Sequence, residues 1–278
     1  MGRLEGKVAF ITGAARGQGR SHALKLAEEG ADIIAVDICK QIPTVPFPMS
    51  TPEDLAVTVK QVEALGRRIV ATEADVRDFT ALKAAVDRGV SELGRLDIVL
   101  ANAGMGSAFG KAEELSPEDW ADTIGVNLTG VWHTAKVAIP HLKAGGAGGS
   151  IVITSSCAAV AGAQNMVHYV AAKTGNLGLM KALAAELAAD SIRVNAICPG
   201  NVNTTMIHND ALWQRFRPDL ENPGLDDVMP VFNTINALPV PWVEPVDITN
   251  AVLFLVSDEA RYVTGINMPV EAGFLLRT

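Results

Sequence analysis

Three side chains in this sequence have the types and the spacing needed for proton transfer. Tyr169 and Lys173 are four residues apart, and residues at that spacing share one face of a helix. Ser156 lies 13 residues before Tyr169, just after an apolar run at residues 151–153 that predicts a buried strand. A phenol has an ordinary pKa of about 10, and a neighbouring ammonium favours the phenolate. The pattern therefore predicts that Tyr169 is an acid or base near neutral pH and that Lys173 lowers its pKa.

A tyrosine and a lysine at helical spacing are also a common surface pair, so the elements around them must decide between the two interpretations. The chain has 278 residues, 49% of them hydrophobic, which is enough for one large α/β domain spanning residues 1–278. A net charge of −8 without a basic cluster argues against nucleic-acid binding. No apolar run reaches membrane-spanning length, and no membrane partner is expected.

The three cysteines, Cys39, Cys157 and Cys198, are odd in number and far apart. This distribution fits neither a disulfide framework nor a metal site, so no metal is expected and a reducing compartment is favoured. The first residues run directly into a strand pattern and lack the features of a signal peptide. The sequence therefore predicts a cytoplasmic protein.

A glycine-rich turn follows the first predicted strand, residues 7–12, and precedes a helix. Gly13, Gly17 and Gly19 would let the backbone approach a pyrophosphate, with Arg16 and Gln18 between them. The spacing G-x-x-x-G-x-G differs from the common dinucleotide fingerprint, but its position directly after a strand favours the same function. We expect these five residues to contact a cofactor.

The second predicted strand, residues 32–37, ends in Asp37. A carboxylate at this place can accept hydrogen bonds from both ribose hydroxyls of an adenosine and would repel a 2′-phosphate, which predicts NAD. Arg16 argues for NADP, because a basic side chain in the turn could meet that phosphate. Asp37 is expected to decide, since it should lie nearer the 2′-oxygen.

Residues 38–52 contain four prolines and no periodicity, which excludes a helix or a central strand. This insertion is either an ordered loop beside the adenosine site or a tolerated surface segment. Thr51 is the expected N-cap of the next helix, with Pro52 at its first position. After the third strand, Asp75 and the adjoining Val76 are expected to belong to the cofactor site. Two roles for Asp75 stay open: it bonds the adenine amino group, or it caps the helix that starts near Asp78.

Strand and helix patterns alternate seven times, which predicts a doubly wound parallel sheet with helices on both faces, of the Rossmann type. Right-handed crossovers then give the strand order 3-2-1 followed by the fourth strand onward. Small residues after the fourth strand (Asn102, Ala103 and Gly104) and a turn after the sixth (Pro199, Gly200, Val202 and Thr204) are expected to complete the cofactor site.

Residues 205–245 are predicted to be irregular, and a substrate lid is expected over about 201–245 because long loops in compact domains are usually functional. Apolar side chains in this segment favour an apolar substrate. Asn127 stands inside a predicted helix, where it either marks a kink or makes an ordinary interhelix hydrogen bond. His168 adjoins Tyr169, but a helical neighbour points about 100° away, which disfavours substrate contact.

Together these residues resemble the short-chain dehydrogenase/reductase family over nearly the whole chain. The motifs are TGAARGQG at 12–19, ANAG at 101–104 (the family usually has NNAG), Asn127, Ser156, the Tyr169–Lys173 pair and Pro199–Gly200. TGAARGQGRSHA, the insertion after Asp37 and CPGNVNT are similar to the mycofactocin-associated, carveol-dehydrogenase-like branch of actinobacteria. That narrower resemblance implies tightly held NAD, covered by the insertion and reoxidised in place by an external redox carrier.

The resemblance also implies residue roles. Tyr169 would exchange a proton with the substrate oxygen, Ser156 would donate a hydrogen bond to that oxygen, and Lys173 would lower the pKa of Tyr169 and bond the nicotinamide ribose. Asn127 would anchor a water that connects Lys173 to solvent. A homotetramer is implied through the helices that carry Asn127 and Tyr169, with the apolar segment 274–276 available to an interface.

The leading hypothesis is therefore an NAD-dependent oxidoreductase (EC 1.1.1.-) acting on a secondary or cyclic, apolar, carveol-like alcohol. One alternative is an NADPH-dependent ketoacyl or ketone reductase, which Asp37 disfavours. Another is a nucleotide-binding regulator without turnover, which the intact set of Ser156, Tyr169, Lys173 and Asn127 disfavours.

Overall fold

The computed structural model describes residues 2–277, and seven strands form its central sheet. They are β1 (Val8–Thr12), β2 (Asp32–Asp37), β3 (Ile69–Glu73), β4 (Ile98–Ala101), β5 (Gly149–Thr154), β6 (Ile192–Pro199) and β7 (Asn267–Val270). All pairings are parallel, and the order is β3-β2-β1-β4-β5-β6-β7. The predicted fold class and strand order are confirmed. The order reverses between β1 and β4, where open sheets of this kind bind ligands.

Ten α-helices connect and cover the strands. They are α1 (Gly17–Glu28), α2 (Pro52–Ala64), α3 (Phe79–Leu93), α4 (Pro117–Ile124), α5 (Gly130–Gly145), α6 (Ala158–Ala161), α7 (Val167–Leu187), α8 (Asp210–Phe216), α9 (Leu225–Ile235) and α10 (Pro245–Val256). α3, α5 and α7 bury apolar side chains on one face of the sheet, and α1, α2 and α10 on the other. Because both faces are covered, β1, β2 and β4 are buried at every position rather than alternately.

Side-chain caps fix several helix starts. Thr51 and Ser116 accept hydrogen bonds from the backbone N–H groups of Asp54 and Asp119, as their positions in the sequence predict. The alternative that Asp75 caps the next helix is wrong. Asp78 caps α3, since its carboxylate accepts from the N–H groups at 80 and 81.

The insertion at residues 38–51 has no regular secondary structure but is braced internally by Gln41. The Gln41 amide donates to the carbonyls of Ile42, Val45 and Phe47 and accepts from the N–H of Met49. Ile42, Val45 and Phe47 are buried against the main apolar core. The segment is thus built into the fold and is not a loosely attached surface loop.

The prediction that residues 205–245 are irregular is wrong. This segment contains α8, capped by Asn209, and α9, which continues through Pro230. The two helices enclose a small apolar cluster of their own around Val228 and Phe232, separate from the two cores beside the sheet. The prolines in this segment argued against helices in the sequence. Val228, Phe232 and Ile235 nevertheless show the i, i+4, i+7 spacing of one helical face.

Across residues 2–277, every helix is too short or too polar to cross a membrane.

Candidate functional site

Two clefts and one cavity meet at the carboxyl edge of the sheet. The first, here called the nucleotide cleft, runs along the ends of β1, β2 and β4. Its walls are the glycine-rich turn, the insertion and the loops after β3 and β4, comprising Gly13, Arg16, Gly17, Gln18, Gly19, Val36, Asp37, Ile38, Ile42, Val45, Phe47, Met49, Ser50, Ala74, Asp75, Val76, Asn102, Ala103, Gly104, Met105, Val126, Thr204, Thr205 and Met206.

The second, here called the catalytic cleft, continues from the nucleotide cleft across the ends of β5 and β6. Its lining includes Gln18, Asn102, Gly104, Thr154, Ser155, Ser156, Tyr169, Lys173, Pro199, Gly200, Val202 and Thr204. Every residue predicted to bind the cofactor lines one of these two clefts. The predicted cofactor-binding residues come from six separate segments of the sequence, and the fold places them along two adjoining clefts.

The glycine-rich turn is tight enough to exclude side chains at two of its positions. Gly13 has φ +69°, and a Cβ there would approach the Ala103 backbone to 2.9 Å. A Cβ on Gly19 would lie 1.9 Å from the carbonyl oxygen of Gly13, so only glycine fits between α1 and β1. Within residues 2–277, the buried Oε1 of Gln18 has no hydrogen-bond partner. A ligand with a donor at this turn would satisfy it.

Asp37 is a buried carboxylate held by three donors. Oδ2 accepts from the N–H of Ala15 at 2.9 Å, and Oδ1 accepts from the Cys39 N–H at 3.2 Å and the Ser50 hydroxyl at 2.6 Å. Arg16 points to the insertion instead and donates to the carbonyl of Pro48 at 2.6 Å. The acidic group thus faces the nucleotide cleft as a fixed acceptor, while Arg16 serves as a tie between the turn and the insertion.

Asp75 lines the nucleotide cleft, but its carboxylate is largely used by Arg77. Arg77 donates to Asp75 from Nε and Nη2 at 2.9 and 2.7 Å and reaches Asp122 with Nη1 at 2.5 Å. These bonds raise the pKa of the Arg77 guanidinium and keep it charged. The network fixes the far wall of the cleft between β3 and α4.

Lys173 and Tyr169 lie side by side on α7, as their spacing predicts. The Lys173 ammonium is 5.7 Å from the centre of the Tyr169 ring and donates to the carbonyl of Thr154 at 2.9 Å. Burial lowers the pKa of Lys173 to about 8. Burial raises the pKa of Tyr169, and the Ser156 hydroxyl opposes that rise.

The expected lowering of the Tyr169 pKa is therefore not found in this structure. Removal of the phenol from water disfavours the phenolate, and this effect exceeds the stabilisation by Ser156. The ammonium of Lys173 is directed at a backbone carbonyl rather than at the phenol. Ser156, on the loop after β5, still places its hydroxyl beside Tyr169 at the floor of the cavity.

Asn127 is fully buried and lies in a π-helical turn, Gly125–Thr129, between α4 and α5. Such turns are frequent at functional sites. This one interrupts the regular α-helix at Asn127, which agrees with the first of the two alternatives for this residue. The Asn127 side-chain amide accepts from the Met105 N–H at 2.8 Å and donates to the Met105 carbonyl at 2.9 Å. The backbone carbonyl of Asn127 accepts from the side-chain amide of Asn176. A Cβ on Gly104 would lie 3.3 Å from both the Asn127 amide oxygen and the Lys173 ammonium. Asn127 thus stands next to Lys173, behind the cleft.

His168 turns away from the cavity into the protein. It is 1% exposed, its Nε2 is 2.5 Å from the Ser107 hydroxyl, and that hydroxyl also bonds Thr123 at 2.8 Å. Burial lowers the pKa of His168 and favours the neutral ring. The residue holds the loop after β4 rather than contacting a substrate.

A cavity, here called the substrate cavity, opens from the catalytic cleft beside the segment for which a lid is expected. Its lining is mostly apolar and comprises Pro46, Phe47, Gly106, Ser107, Phe109, Ser156, Cys157, Ala158, Ala163, Met166, Tyr169, Pro199, Gly200, Asn201, Met206, Ile207, Asn209, Leu212, Arg215, Phe216, Ile235 and Phe274. The expected lid supplies much of this wall through α8 and α9. Sequence reasoning missed the contribution of the insertion, because no local pattern shows that Phe47 reaches both the nucleotide cleft and the cavity.

Residues 2–277 contain no group of three or more His, Cys, Asp or Glu side chains placed to hold a metal ion. The chemistry available at the junction of the cleft and cavity is that of a hydroxyl, a phenol and a cation. This arrangement can bind an oxygen on a substrate carbon and move a proton to or from it.

Known proteins are similar to this chain over nearly its whole length. A family model for the short chain dehydrogenases matches residues 7–215. A (−)-trans-carveol dehydrogenase from Rhodococcus erythropolis is 55% identical over 277 residues, covering 100% of both chains. A carveol dehydrogenase from Mycobacterium avium, solved in complex with NAD, is 59% identical with a TM-score of 0.98, covering 99% of this chain and 100% of the other.

A short chain dehydrogenase from Mycobacterium paratuberculosis, solved with NAD bound, is 46% identical with a TM-score of 0.89 and similar coverage, 99% of this chain and 100% of the other. The expected family resemblance, including its carveol-dehydrogenase-like branch, is confirmed. The protein is an oxidoreductase, and its chain belongs to the short-chain dehydrogenase family.

Proposed function

We propose that this protein is an NAD-dependent dehydrogenase that oxidises an apolar secondary or cyclic alcohol. The main support for the proposal is that the catalytic cleft adjoins the substrate cavity. Ser156 and Tyr169 form the shared wall of the catalytic cleft and an apolar cavity of about 230 Å³. An alcohol in the cavity and a nucleotide in the clefts would meet at these two side chains.

The residues of the nucleotide cleft fit NAD. The glycine-rich turn leaves room for a pyrophosphate at the start of α1. Asp37 offers its carboxylate to the adenosine ribose and would repel a 2′-phosphate. Arg16 lines the same cleft but donates to the carbonyl of Pro48 in the insertion, so a 2′-phosphate would have to compete with that contact. Two similar proteins were solved with NAD bound.

The polar residues of the site then divide the tasks of the reaction among them. Ser156 donates a hydrogen bond to the alcohol oxygen and stabilises the charge that develops on it. Tyr169, as phenolate, takes the hydroxyl proton. Lys173 keeps a positive charge beside the phenol at pH values below about 8, and Asn127 holds the adjoining backbone through Met105. When bound at this site, NAD would supply the acceptor for the hydride that leaves the carbinol carbon.

Lys173 would also bond the nicotinamide ribose, and Asn127 would order a water between Lys173 and solvent. The position of Asn127 supports the second role, because its amide oxygen and the Lys173 ammonium converge on Gly104. A proton taken up by Tyr169 would leave along this side of the cleft. These roles are part of the proposal.

An apolar ring is the substrate body that best suits the cavity. Its walls combine aliphatic and aromatic side chains from the lid with Phe47 from the insertion, and both similar carveol dehydrogenases act on a cyclic terpene alcohol by name. Carveol is therefore the first substrate to assay. The expected result is reduction of NAD with a matching yield of the ketone.

Replacement of Tyr169 by Phe tests the chemical assignment. We expect Tyr169→Phe to lower the rate of carveol oxidation by about a hundredfold or more, because the proton acceptor is lost. Binding of NAD, measured by calorimetry, should change little. Tyr262→Phe is the matched control, since Tyr262 is the other tyrosine of the chain and its side chain is 89% exposed. Unchanged turnover in Tyr169→Phe would overturn the assignment.

We further propose that the bound NAD does not exchange freely and is reoxidised in place by an external redox carrier. The insertion supports this, because its buried residues cover the adenosine side of the cleft and are tied to both Asp37 and Arg16. Denaturing the purified protein and identifying the released nucleotide by mass spectrometry tests the idea. Near one NAD per chain is expected. An empty protein would indicate ordinary exchangeable NAD, and bound NADP would contradict the assignment to Asp37.

The two alternative functions make different predictions in the same assays. An NADPH-dependent ketoacyl or ketone reductase would bind NADP in preference to NAD, which the placement of the Asp37 carboxylate opposes. A nucleotide-binding regulator would bind NAD but oxidise no alcohol. Measurable turnover of carveol with NAD rejects both.

A homotetramer in the cytoplasm completes the proposal. Trp120, Trp132 and Val167 are large apolar side chains exposed by more than 40% on α4, α5 and α7, and Leu276 near the C-terminus is 82% exposed. Another copy of the chain would cover these surfaces. Light scattering on the purified protein should give four times the chain mass of 29.3 kDa, and a monomer would contradict this.

A further inference from the structure

Within residues 2–277, the substrate cavity contains a single charged side chain, Arg215. It extends from α8 in the lid, where its guanidinium stacks over the ring of Phe109 at 4.8 Å and donates to the Gln164 carbonyl at 2.9 Å. These two contacts anchor the guanidinium at the cavity wall, between the loop after β4 and the loop before α7. The rest of the lining is neutral.

Arg215 has no carboxylate partner among the described residues. Most other arginines of the chain pair with Asp or Glu within 4.0 Å, including Arg217, two residues away, which pairs with Asp219 at 2.7 Å. Burial lowers the pKa of Arg215, and no neighbouring acid opposes this effect. A guanidinium carries five N–H donors, and the structure accounts for one of them.

The neutral polar side chains of the cavity wall have mostly found partners inside the protein. The Ser107 hydroxyl is shared by His168 and Thr123. The Asn209 amide bonds the backbone of 205, 206 and 212. Apart from Ser156 and Tyr169, which belong to the chemistry, Arg215 and Asn201 therefore keep the most unused hydrogen-bonding capacity in the cavity, and of these two side chains only Arg215 is charged.

From this placement we propose that Arg215 binds a carboxylate on the substrate, at the end of the molecule remote from the reacting alcohol. The substrate is then an apolar ring or chain with a hydroxyl at one end and an acid group at the other. The inference rests on the proposed function, because it assigns the orientation of an alcohol in the same cavity. The planar fork of Arg215 suits a carboxylate, which can accept two parallel N–H bonds.

A pair of matched alcohols tests the proposal by turnover. For the purified protein with its nucleotide, kcat/KM for trans-4-hydroxycyclohexanecarboxylate should exceed that for 4-methylcyclohexanol by about tenfold or more, the size expected of a charged hydrogen-bonded contact. Arg215→Met should remove that preference, and Arg215→Lys should keep part of it. Arg217→Met is the control and should leave the ratio of the two substrates as it is.

Binding of an unreactive acid separates this proposal from the proposed function. Cyclohexanecarboxylate has no hydroxyl, so its dissociation constant, measured by calorimetry, does not depend on turnover. If carveol and both of these alcohols remain unoxidised but the acid binds the wild type about tenfold or more tightly than Arg215→Met, the assigned reaction is wrong and the carboxylate site stands. If the acid binds wild type and Arg215→Met alike, the carboxylate site is wrong whatever the turnover. Should Arg215→Met fail to fold, Arg215→Lys decides, and undiminished affinity and preference there would reject the role of the guanidinium fork.

Discussion

The Ser50 hydroxyl donates a 2.6 Å hydrogen bond to Oδ1 of Asp37, joining the insertion to the carboxylate at the end of β2. Both side chains are buried, at 8% and 6% exposure. The residue proposed to select NAD is thus held in place by the segment proposed to retain it. Cofactor choice and cofactor retention share one contact.

Removal of that contact should loosen the nucleotide. Ser50→Ala deletes one hydrogen bond to a buried carboxylate, which costs about 1.5–3 kcal/mol. We expect NADH to be released faster than from the wild type. The release rate is measured as the decay of NADH fluorescence after dilution into excess NAD. Ser91→Ala, on the exposed side of α3, is the control. An unchanged release rate in Ser50→Ala would show that the insertion does not retain the nucleotide through this contact.

Neutralising Asp37 should weaken the preference for NAD over NADP. Asp37→Asn keeps the size of the side chain but removes the charge that repels a 2′-phosphate. We expect about a tenfold to hundredfold loss of discrimination, from a weaker interaction with the ribose and a smaller repulsion of the phosphate. The affinities of both nucleotides by calorimetry give the ratio. Asp258→Asn, whose carboxylate is 90% exposed, should leave it unchanged.

The pH dependence of turnover should follow the protonation state of Tyr169. Oxidation needs the phenolate, and because burial raises the pKa of Tyr169, the phenolate fraction grows as pH rises above neutrality. Carveol oxidation should therefore accelerate from pH 6 to above pH 8, while the reverse ketone reduction, which needs the phenol, should change little over the same range because Tyr169 stays protonated there. Initial rates in both directions test this. A flat oxidation profile would contradict the role of Tyr169 as the base.

His22 should make the fold sensitive to acid. It is fully buried in α1, its Nδ1 bonds the Thr249 hydroxyl at 2.8 Å, and burial lowers its pKa from 6.5 to about 3. The folded pKa is depressed, so the stability from the neutral ring is complete above about pH 6.5 and declines as pH falls toward 3. The slope is about 1.4 kcal/mol per pH unit.

Urea unfolding midpoints at pH 7 and pH 5 measure this effect. The His22→Leu variant lacks the titrating group, so its free energy of unfolding should fall less between the two pH values than that of the wild type. Its stability at pH 7 will be lower, because the hydrogen bond to Thr249 is lost, and that value is the reference for the comparison. Parallel losses in both proteins would show that other groups cause the acid sensitivity.

Features encoded by local pattern were predictable from the sequence. The alternation of strand and helix patterns predicted the number and the order of the strands, and the positions of Thr51 and Ser116 mark helix starts through their own hydrogen bonds. The glycines at 13 and 19 have a steric role that any residue with a Cβ would violate. These features depend on residues that are close in the sequence, so local sequence patterns are enough to predict them.

Features that depend on distant neighbours were not predictable. The pKa of Tyr169 is governed by burial, which arises only when α7, β5 and the loop after β6 come together. α9 was missed because Pro230 argued against a helix, although packing of Phe232 against Phe216 and Trp242 offsets the lost hydrogen bond. The contact between Arg215 and Phe109 joins segments about a hundred residues apart, for which no local signal exists.

Phe47 stands where the nucleotide cleft and the substrate cavity adjoin, and its ring belongs to both walls. A change of size at this position alters the fit of the coenzyme and of the alcohol at once. In the divergence of such enzymes, selection for a new alcohol at Phe47 would also reset how long the dinucleotide stays bound. A substitution at this one side chain would therefore change substrate specificity and cofactor residence together.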